Sequence, residues 1–444
     1  MFVRQRRRRV YAVLAAGALT LSACSAVEPA EGETPTAGGD KVATGPGITK
    51  EACPDAVNPS NGCIYLGVLS DLTEGPFAAL AVPIVDGQEA FWAKVNKDGG
   101  IGGYDIDIKA NTRDTKYKAA EHAAMFRQIE PNVLGLAQTL GTVNTEAILE
   151  ELVSKKIVSV PTSWWSGYAF EAEDSGIMLE TGYSYCTEAV VGLDWFSAKK
   201  AKPASVQSVG YPGDYGGDSA AGVARWAKAN DADLKPAIGT GPNQVTGNQD
   251  AVVSALKKAS PDVTVLAVGP AETAEIIGKL AAGGYKGKFL GSLPTWNPAL
   301  LKSAAGPAMT AMYNHLSPYQ NLGDKSAAIT AVMDSLGGEL PPNDGYLIGW
   351  AIGYPLKAAL QAAVAKGDVS RAGMAAVVDG LTVDFEGMSP SITYGGDPQQ
   401  TAMQSVNVSV PDEKGVLGLT TVEPFFKGET FDKTDYSAPC IASK

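Results

Sequence analysis

The sequence predicts a two-lobed α/β protein whose parallel sheets carry helices on both faces. Three observations carry this. From Ile64 onward, short apolar runs alternate with amphipathic stretches, the pattern of repeated strand–helix–strand units. A second series of the same kind begins after Cys186, with no close internal repeat. The segment from Ala52 to the C-terminus, about 390 residues, exceeds what one hydrophobic core supports and suits two.

In chain order, residues 1–23 read as a lipoprotein signal peptide. The basic "MFVRQRRRRV" precedes the apolar "YAVLAAGALT", which is too short to span a bilayer as a mature helix. Leu21, Ser22 and Ala23 before Cys24 look like a lipobox, where cleavage exposes a cysteine that takes diacylglycerol. An ordinary export signal that happens to contain a cysteine is the alternative. Arg7-Arg8 ahead of Val10-Tyr11 also resembles a twin-arginine signal, which an arginine run produces by chance. Residues 24–51 are rich in Ala, Gly, Pro, Thr and Glu, cannot bury enough surface to offset ordering entropy, and read as a tether.

The first α/β series runs "IYLGVLS" (strand), "FAALAVPIVDGQEAFWAKVNK" (helix), "YDIDIKANTRD" (strand), "KYKAAEHAAMFRQI" (helix), "NVLGLAQ" (strand), "VNTEAILEELVSK" (helix) and "KIVSVPTS" (strand). The second runs through the helix "TEAVVGLDWFSAKK", the strand "SVQSVGY" and the helix "SAAGVARWAKAN". The helices "NQDAVVSALKKA" and "ETAEIIGKLAAGG" then flank the strand "DVTVLAVG", and "GKFLGSL" closes the series. Between Val95 and Lys109, Gly99, Gly100, Gly102 and Gly103 invite a phosphate-loop reading. That loop must follow a strand and open a helix, whereas these glycines end a helix and lead into a strand. The nucleotide reading is rejected.

Of five cysteines, Cys24 is assigned to lipidation, leaving an even number in an oxidising compartment. Cys53 and Cys63 flank the turn-rich "PDAVNPSNG" and pair readily, which leaves Cys186 with Cys440. No CxxC pair exists and the only histidines are His122 and His315, so no metal site and no cofactor is expected. The formal net charge of −12 without a basic run in the body of the chain makes nucleic acid a poor partner.

The order and spacing of four stretches resemble the type 1 solute-binding proteins of ABC importers, in the branched-chain amino acid, amide and urea group. "IYLGVLSDLTEGPFAAL" looks like that family's opening strand and first cleft loop. "GQEAFWAKVNKDGGIGGYDIDIKANTRDTKYKAAEHAAMF" is similar to its first helix, glycine joint, second strand and Asp-bearing loop. "GYPGDYGGDSAAGVARWA" matches its Tyr-Gly motif, and "NDGYLIGWAIGYPLKAALQAAV" its returning helix. The match spans Ile64 to about Phe426. It implies the periplasmic-binding-protein type 1 fold, two Rossmann-like lobes joined by three hinge crossovers. Lobe 1 would be 52–183 plus 313–387, and lobe 2 would be 184–312 plus 388–444. Both disulfides would then lie within single lobes and leave hinge motion free. It further implies a monomer that takes a small-molecule ligand and hands it to ABC permease subunits, held to the membrane by its lipid anchor.

Ligands of open α/β sheets bind beyond the carboxyl ends of the strands. There, Thr139, Gly141 and Thr142 precede a helix, where they can hold a carboxylate or amide oxygen or simply cap the helix. Ser163, Trp164, Trp165 and Ser166 follow another strand; small hydroxyl residues are usual there in the family, and of the two tryptophans one is expected in the core and one on the cleft wall. The resemblance adds Phe77 and Tyr215 as aromatic walls, and Trp296 as a further aromatic surface. Amino-acid binders of the family tend to carry an ammonium-pairing glutamate near Gly291, but residues 288–302 hold no acid. Glu272 is the nearest substitute, or else a solvated helix-start residue. The implied ligand is therefore a small carboxylate or amide with an apolar or aromatic body, with an α-amino acid second. Two rivals stand beside an importer subunit: a ligand-presenting sensor lipoprotein of the same fold, and a hydrolase. The hydrolase would need carboxylates such as Asp71, Glu74, Asp214 or Glu272 to face across the cleft, and neither histidine is placed to serve a serine nucleophile.

Overall fold

The computed structural model describes residues 44–442, all within one unit of the chain. The leader, Cys24 and most of the tether lie outside the described residues. The tether's last residues do not: β1 (Ile48–Thr49) pairs antiparallel with β2 (Gly62–Ser70), and Tyr65 N–H donates to the Gly47 carbonyl. The expected tether to residue 51 is thus too long, because a two-residue edge strand gives too little pattern to read from composition.

β2 is the centre of the first sheet. One edge pairs in parallel with β3 (Tyr104–Asp107) and β4 (Thr112–Asp114), the other with β5 (Gly135–Leu140), which continues to β6 (Ser159–Thr162). The single strand expected over 104–114 is therefore two. Asp107 Oδ1 accepts from Ala110 N–H at 2.9 Å, turning the chain out between them.

The second sheet contains parallel β7 (Ser205–Gly210), the short β8 (Asp233–Leu234) and β9 (Ile238–Gly239) beside it, then β10 (Val263–Ala267), β11 (Lys288–Gly291) and β12 (Tyr313–Ser317). A small pair, β13 (Thr382–Val383) and β14 (Ile392–Thr393), stands apart. Antiparallel β15 (Ser405–Pro411) and β16 (Leu419–Lys427) complete the second sheet beside β12. β12 was expected in lobe 1. Its pairing with β11 corrects that boundary, placing the crossover after Ser317 and His315 inside a buried strand rather than at a hinge.

The chain passes between the sheets three times, near residues 180–184, 318–320 and 389–404. Tyr319 Oη donates to the Thr181 carbonyl at 2.7 Å, Tyr394 Oη to the Glu180 carbonyl at 2.8 Å, and Ser389 Oγ to the Pro318 carbonyl at 2.9 Å. The three passes are thus tied side by side.

The helix Ala78–Lys97 packs on the helix Gly345–Ala351, and glycines set their distance. A Cβ at Gly349 would overlap the Ile84 carbonyl oxygen, and one at Gly87 the Tyr346 carbonyl oxygen. Gly345–Lys366, broken at Ile352, is the one stretch among the described residues long and apolar enough to cross a membrane. Its most apolar window is 72% buried within the protein, as befits a core helix.

Both expected disulfides form, Cys53–Cys63 and Cys186–Cys440. The second holds the C-terminal tail to the helix Tyr185–Lys199, and the tail also reaches the first lobe. Cys440 N–H donates to Ser166 Oγ at 2.8 Å and Trp165 Nε1 to the Ile441 carbonyl at 3.2 Å. The expectation that this disulfide leaves the lobes unconnected needs correction: the bond lies in one lobe, but the tail it anchors bridges to the other.

Two outcomes test this architecture. Gly349→Ala should lower stability by about 1–3 kcal/mol through forced separation of backbones; an unchanged thermal melt would mean the helices part freely. Cys440→Ser should cost about 2–5 kcal/mol and speed amide exchange at Trp165 and Ser166. Unaltered exchange there would show that the tail needs no staple.

Candidate ligand-binding site

Between the lobes, beyond the carboxyl ends of β5, β6 and β11, lies a narrow cavity. The first lobe contributes Phe77, Leu80, Ala81 and Ile84 from the start of the helix Ala78–Lys97. Leu140 and Thr162 end β5 and β6, Thr142 opens a helix, Tyr117, Gly141, Ser163 and Trp164 come from the loops after the strands, and Ile348 from the returning helix. The second lobe contributes Tyr185, Tyr215, Leu293 and Pro294. Among the described residues, none that line it carries a charge.

Local rules explain these placements. Gly141 precedes the helix Thr142–Lys155 at φ +87°, and a Cβ there would collide with the Tyr117 ring, so only glycine serves. No side chain caps this helix. Thr142 Oγ1, at its first position, and Thr162 Oγ1, at the end of β6, are buried without hydrogen-bond partners. Uncapped helix N–H groups and two uncommitted hydroxyls therefore gather on the first-lobe wall, where they can take an oxyanion or carbonyl oxygen. The opposite wall is aromatic. Tyr185 lies edge-on to Trp164 with centroids 6.0 Å apart, and against Tyr215 at 4.5 Å.

Behind that wall sits Glu188. Its Oε1 accepts from Tyr183 Oη at 2.9 Å and Leu293 N–H at 3.1 Å, fixing the turn that presents Leu293 and Pro294. Burial pushes its carboxyl up to about 7, so it is poised between charge states without touching the cavity.

Of the residues singled out from sequence, Phe77, Gly141, Thr142, Ser163, Trp164 and Tyr215 meet around this cavity. The others lie elsewhere. Thr139 Oγ1 is held by His122 Nε2 and Thr145 Oγ1, each at 2.9 Å, and burial depresses that imidazole to about 3. Trp165 is the core member of its pair, packed edge-on against Tyr168. Ser166 Oγ and N–H both donate to the buried Asp218. Trp296 stacks on Tyr313 and donates to the Leu417 carbonyl at 3.1 Å. Glu272, only 3% exposed, is neither solvated nor in the cavity; it accepts from Tyr211 Oη at 2.8 Å and Asn243 N–H at 2.7 Å. Sequence reasoning missed Tyr117, Tyr185, Thr162 and the aliphatic wall of Leu80, Ile84 and Ile348. The apolar periodicity that marks Ile84 as inward does not say that the inside, at a helix start, is a cleft.

The sequence profile of the periplasmic binding protein family matches residues 64–415. No curated protein sequence matches the chain. Among solved structures, a fatty acid ABC transporter substrate-binding protein from Thermomonospora curvata is 24% identical, covers 89% of this chain and 98% of its own, and superposes with a TM-score of 0.79. A branched-chain amino acid ABC transporter protein from Thermus thermophilus with bound valine is 15% identical over 84% of this chain and 98% of its own, TM-score 0.70. A solute-binding protein from Rhodopseudomonas palustris HaA2 in complex with p-hydroxybenzoic acid is 17% identical over 83% and 98%, TM-score 0.67. With the family profile spanning most of its length and its two-lobed, type 1 fold shared with these structures, the chain belongs to the periplasmic binding protein family.

Proposed function

We propose that this protein captures a small carboxylate with an apolar or aromatic body, or the corresponding amide, and delivers it to ABC permease subunits. The observation that carries the reading is the composition of the interlobe cavity. Apolar and aromatic surface surrounds a wall where uncapped helix N–H groups meet Thr142 Oγ1 and Thr162 Oγ1, and no charged side chain among the described residues lines it. A carboxylate or amide oxygen satisfies those donors while its body fills the rest. An α-amino acid would bring an ammonium group with no carboxylate to meet it, at a cost of several kcal/mol. Of the three similar structures described above, two are named for acids without an amino group, a fatty acid and p-hydroxybenzoic acid, and one for an amino acid, with bound valine. The leader sequence supports an extracytoplasmic protein anchored through diacylglycerol on Cys24.

The ligand class is tested with a matched set: leucine, its deaminated analogue isocaproate, isocaproamide and benzoate, read by tryptophan fluorescence and thermal shift. Isocaproate or benzoate should bind at least about tenfold tighter than leucine. Tight leucine binding with no response to isocaproate would sink the reading. Thr142→Val should weaken carboxylate binding roughly tenfold, as loss of a hydrogen bond to a charged group does. For the anchor, protein from membranes should yield a Cys24 N-terminal peptide carrying a diacylglyceryl mass; a Cys24→Ala variant equally membrane-bound would contradict it.

A further inference from the structure

A second, roomier cavity lies outside the interlobe site, where the first and third crossovers pass each other. Its wall includes Glu180 from the first crossover and Tyr394 from the third, with Tyr168, Glu171 and Asp174 from the segment after β6, and Asp379. Four of these six are acidic and no basic residue lines the cavity.

The acids are not equivalent. Asp174 is committed to its own turn: Oδ1 accepts from Gly176 N–H at 2.8 Å and Oδ2 from Met178 N–H at 3.2 Å. Glu171 and Asp379 are exposed. Glu180 is only 8% exposed, and its Oε1 is buried without a hydrogen-bond partner. Burial raises this carboxyl well above the usual range, and the charges that act on it, Asp218 and Asp174, are themselves acidic. Such a group needs a proton or a cation. Among the described residues, no basic side chain lines the cavity to supply the cation.

We infer that this cavity is a binding site for a small protonated amine, with Glu180 as its counter-ion and the rings of Tyr168 and Tyr394 beside its alkyl body. The cavity walls select this class over a metal ion. Among the described residues no group of three His, Cys, Asp or Glu is arranged to hold a metal, and a hard cation wants a shell of oxygens. An alkylammonium instead wants one carboxylate, aromatic faces and apolar surface, and the cavity adds Met178 and Ile392 to its tyrosines. The site is independent of the interlobe ligand's identity, since the two cavities share no lining residue.

The test uses the full mature protein, with n-butylammonium as probe, n-butanol as its uncharged counterpart and calcium as the metal, each at millimolar concentration in calorimetric titration. The ammonium probe should bind, n-butanol and calcium should not, and Glu180→Gln should weaken the ammonium probe by about tenfold or more, as loss of a buried charge partner does. The variant's thermal melt reports whether it folds. If it does not, the comparison of n-butylammonium with n-butanol on the unaltered protein decides alone. Absence of ammonium binding would make Glu180 a protonated core acid and overturn the proposal. So would equal affinity in a folded Glu180→Gln variant, or calcium binding in place of the amine.

Discussion

Asp218 has no exposed surface, and its carboxylate is shared between the lobes. Ser166 of the first lobe offers it both hydroxyl and backbone N–H, while Cys186 of the second offers a backbone N–H at 3.0 Å. A buried carboxylate stripped of these donors would be strongly destabilising, so the segment after β6 and the start of the helix Tyr185–Lys199 must stay together. Most of what matters follows from that junction. Trp164, Tyr185 and Tyr215 face the interlobe cavity from chain segments that it pins, and Cys440 is drawn against Ser166 in the same cluster. The lobes are therefore joined by a buried polar contact as well as by the three crossovers.

The alternation of strands and helices from Ile64 to Leu293 was legible because each element is long enough to show its period and one face is buried. Legibility failed where an element is short or its environment is tertiary. Ile48–Thr49 has two residues and no pattern of its own; β12 carries buried Asn314 and His315, a poor advertisement for a central strand. The split of 104–114 turns on a single Asp107 hydrogen bond that alternation hides. Strands β15 and β16, which close the second sheet, alternate clearly enough in retrospect but follow a crossover that gave no register.

The site divided along the same line. Residues at strand ends and helix starts could be nominated, because a parallel sheet directs its ligands there, and Phe77, Gly141, Thr142, Ser163, Trp164 and Tyr215 do converge. Which neighbour of a pair turns inward depends on packing across lobes, as Trp164 and Trp165 show. Glu272 and Trp296 were plausible by position, yet each is committed to a partner far away in sequence: Tyr211 for the one, the Leu417 carbonyl for the other. Thr139 is bound up with His122 beneath the helix whose first residue, Thr142, is left free. A hydroxyl's availability depends on its neighbours in space, and those are not visible along the chain.

The uncharged lining of the interlobe cavity also bears on how quickly it fills. The chain carries a net charge of −12, so an approaching anion meets a repulsive long-range field, with no lining cation to focus it inward. Capture of the proposed carboxylate would then gain nothing from steering, and dissolved electrolyte would hasten it by shortening the reach of that field. If the cargo is the carboxylate proposed above, the protein would gather it faster in saline surroundings than in dilute water.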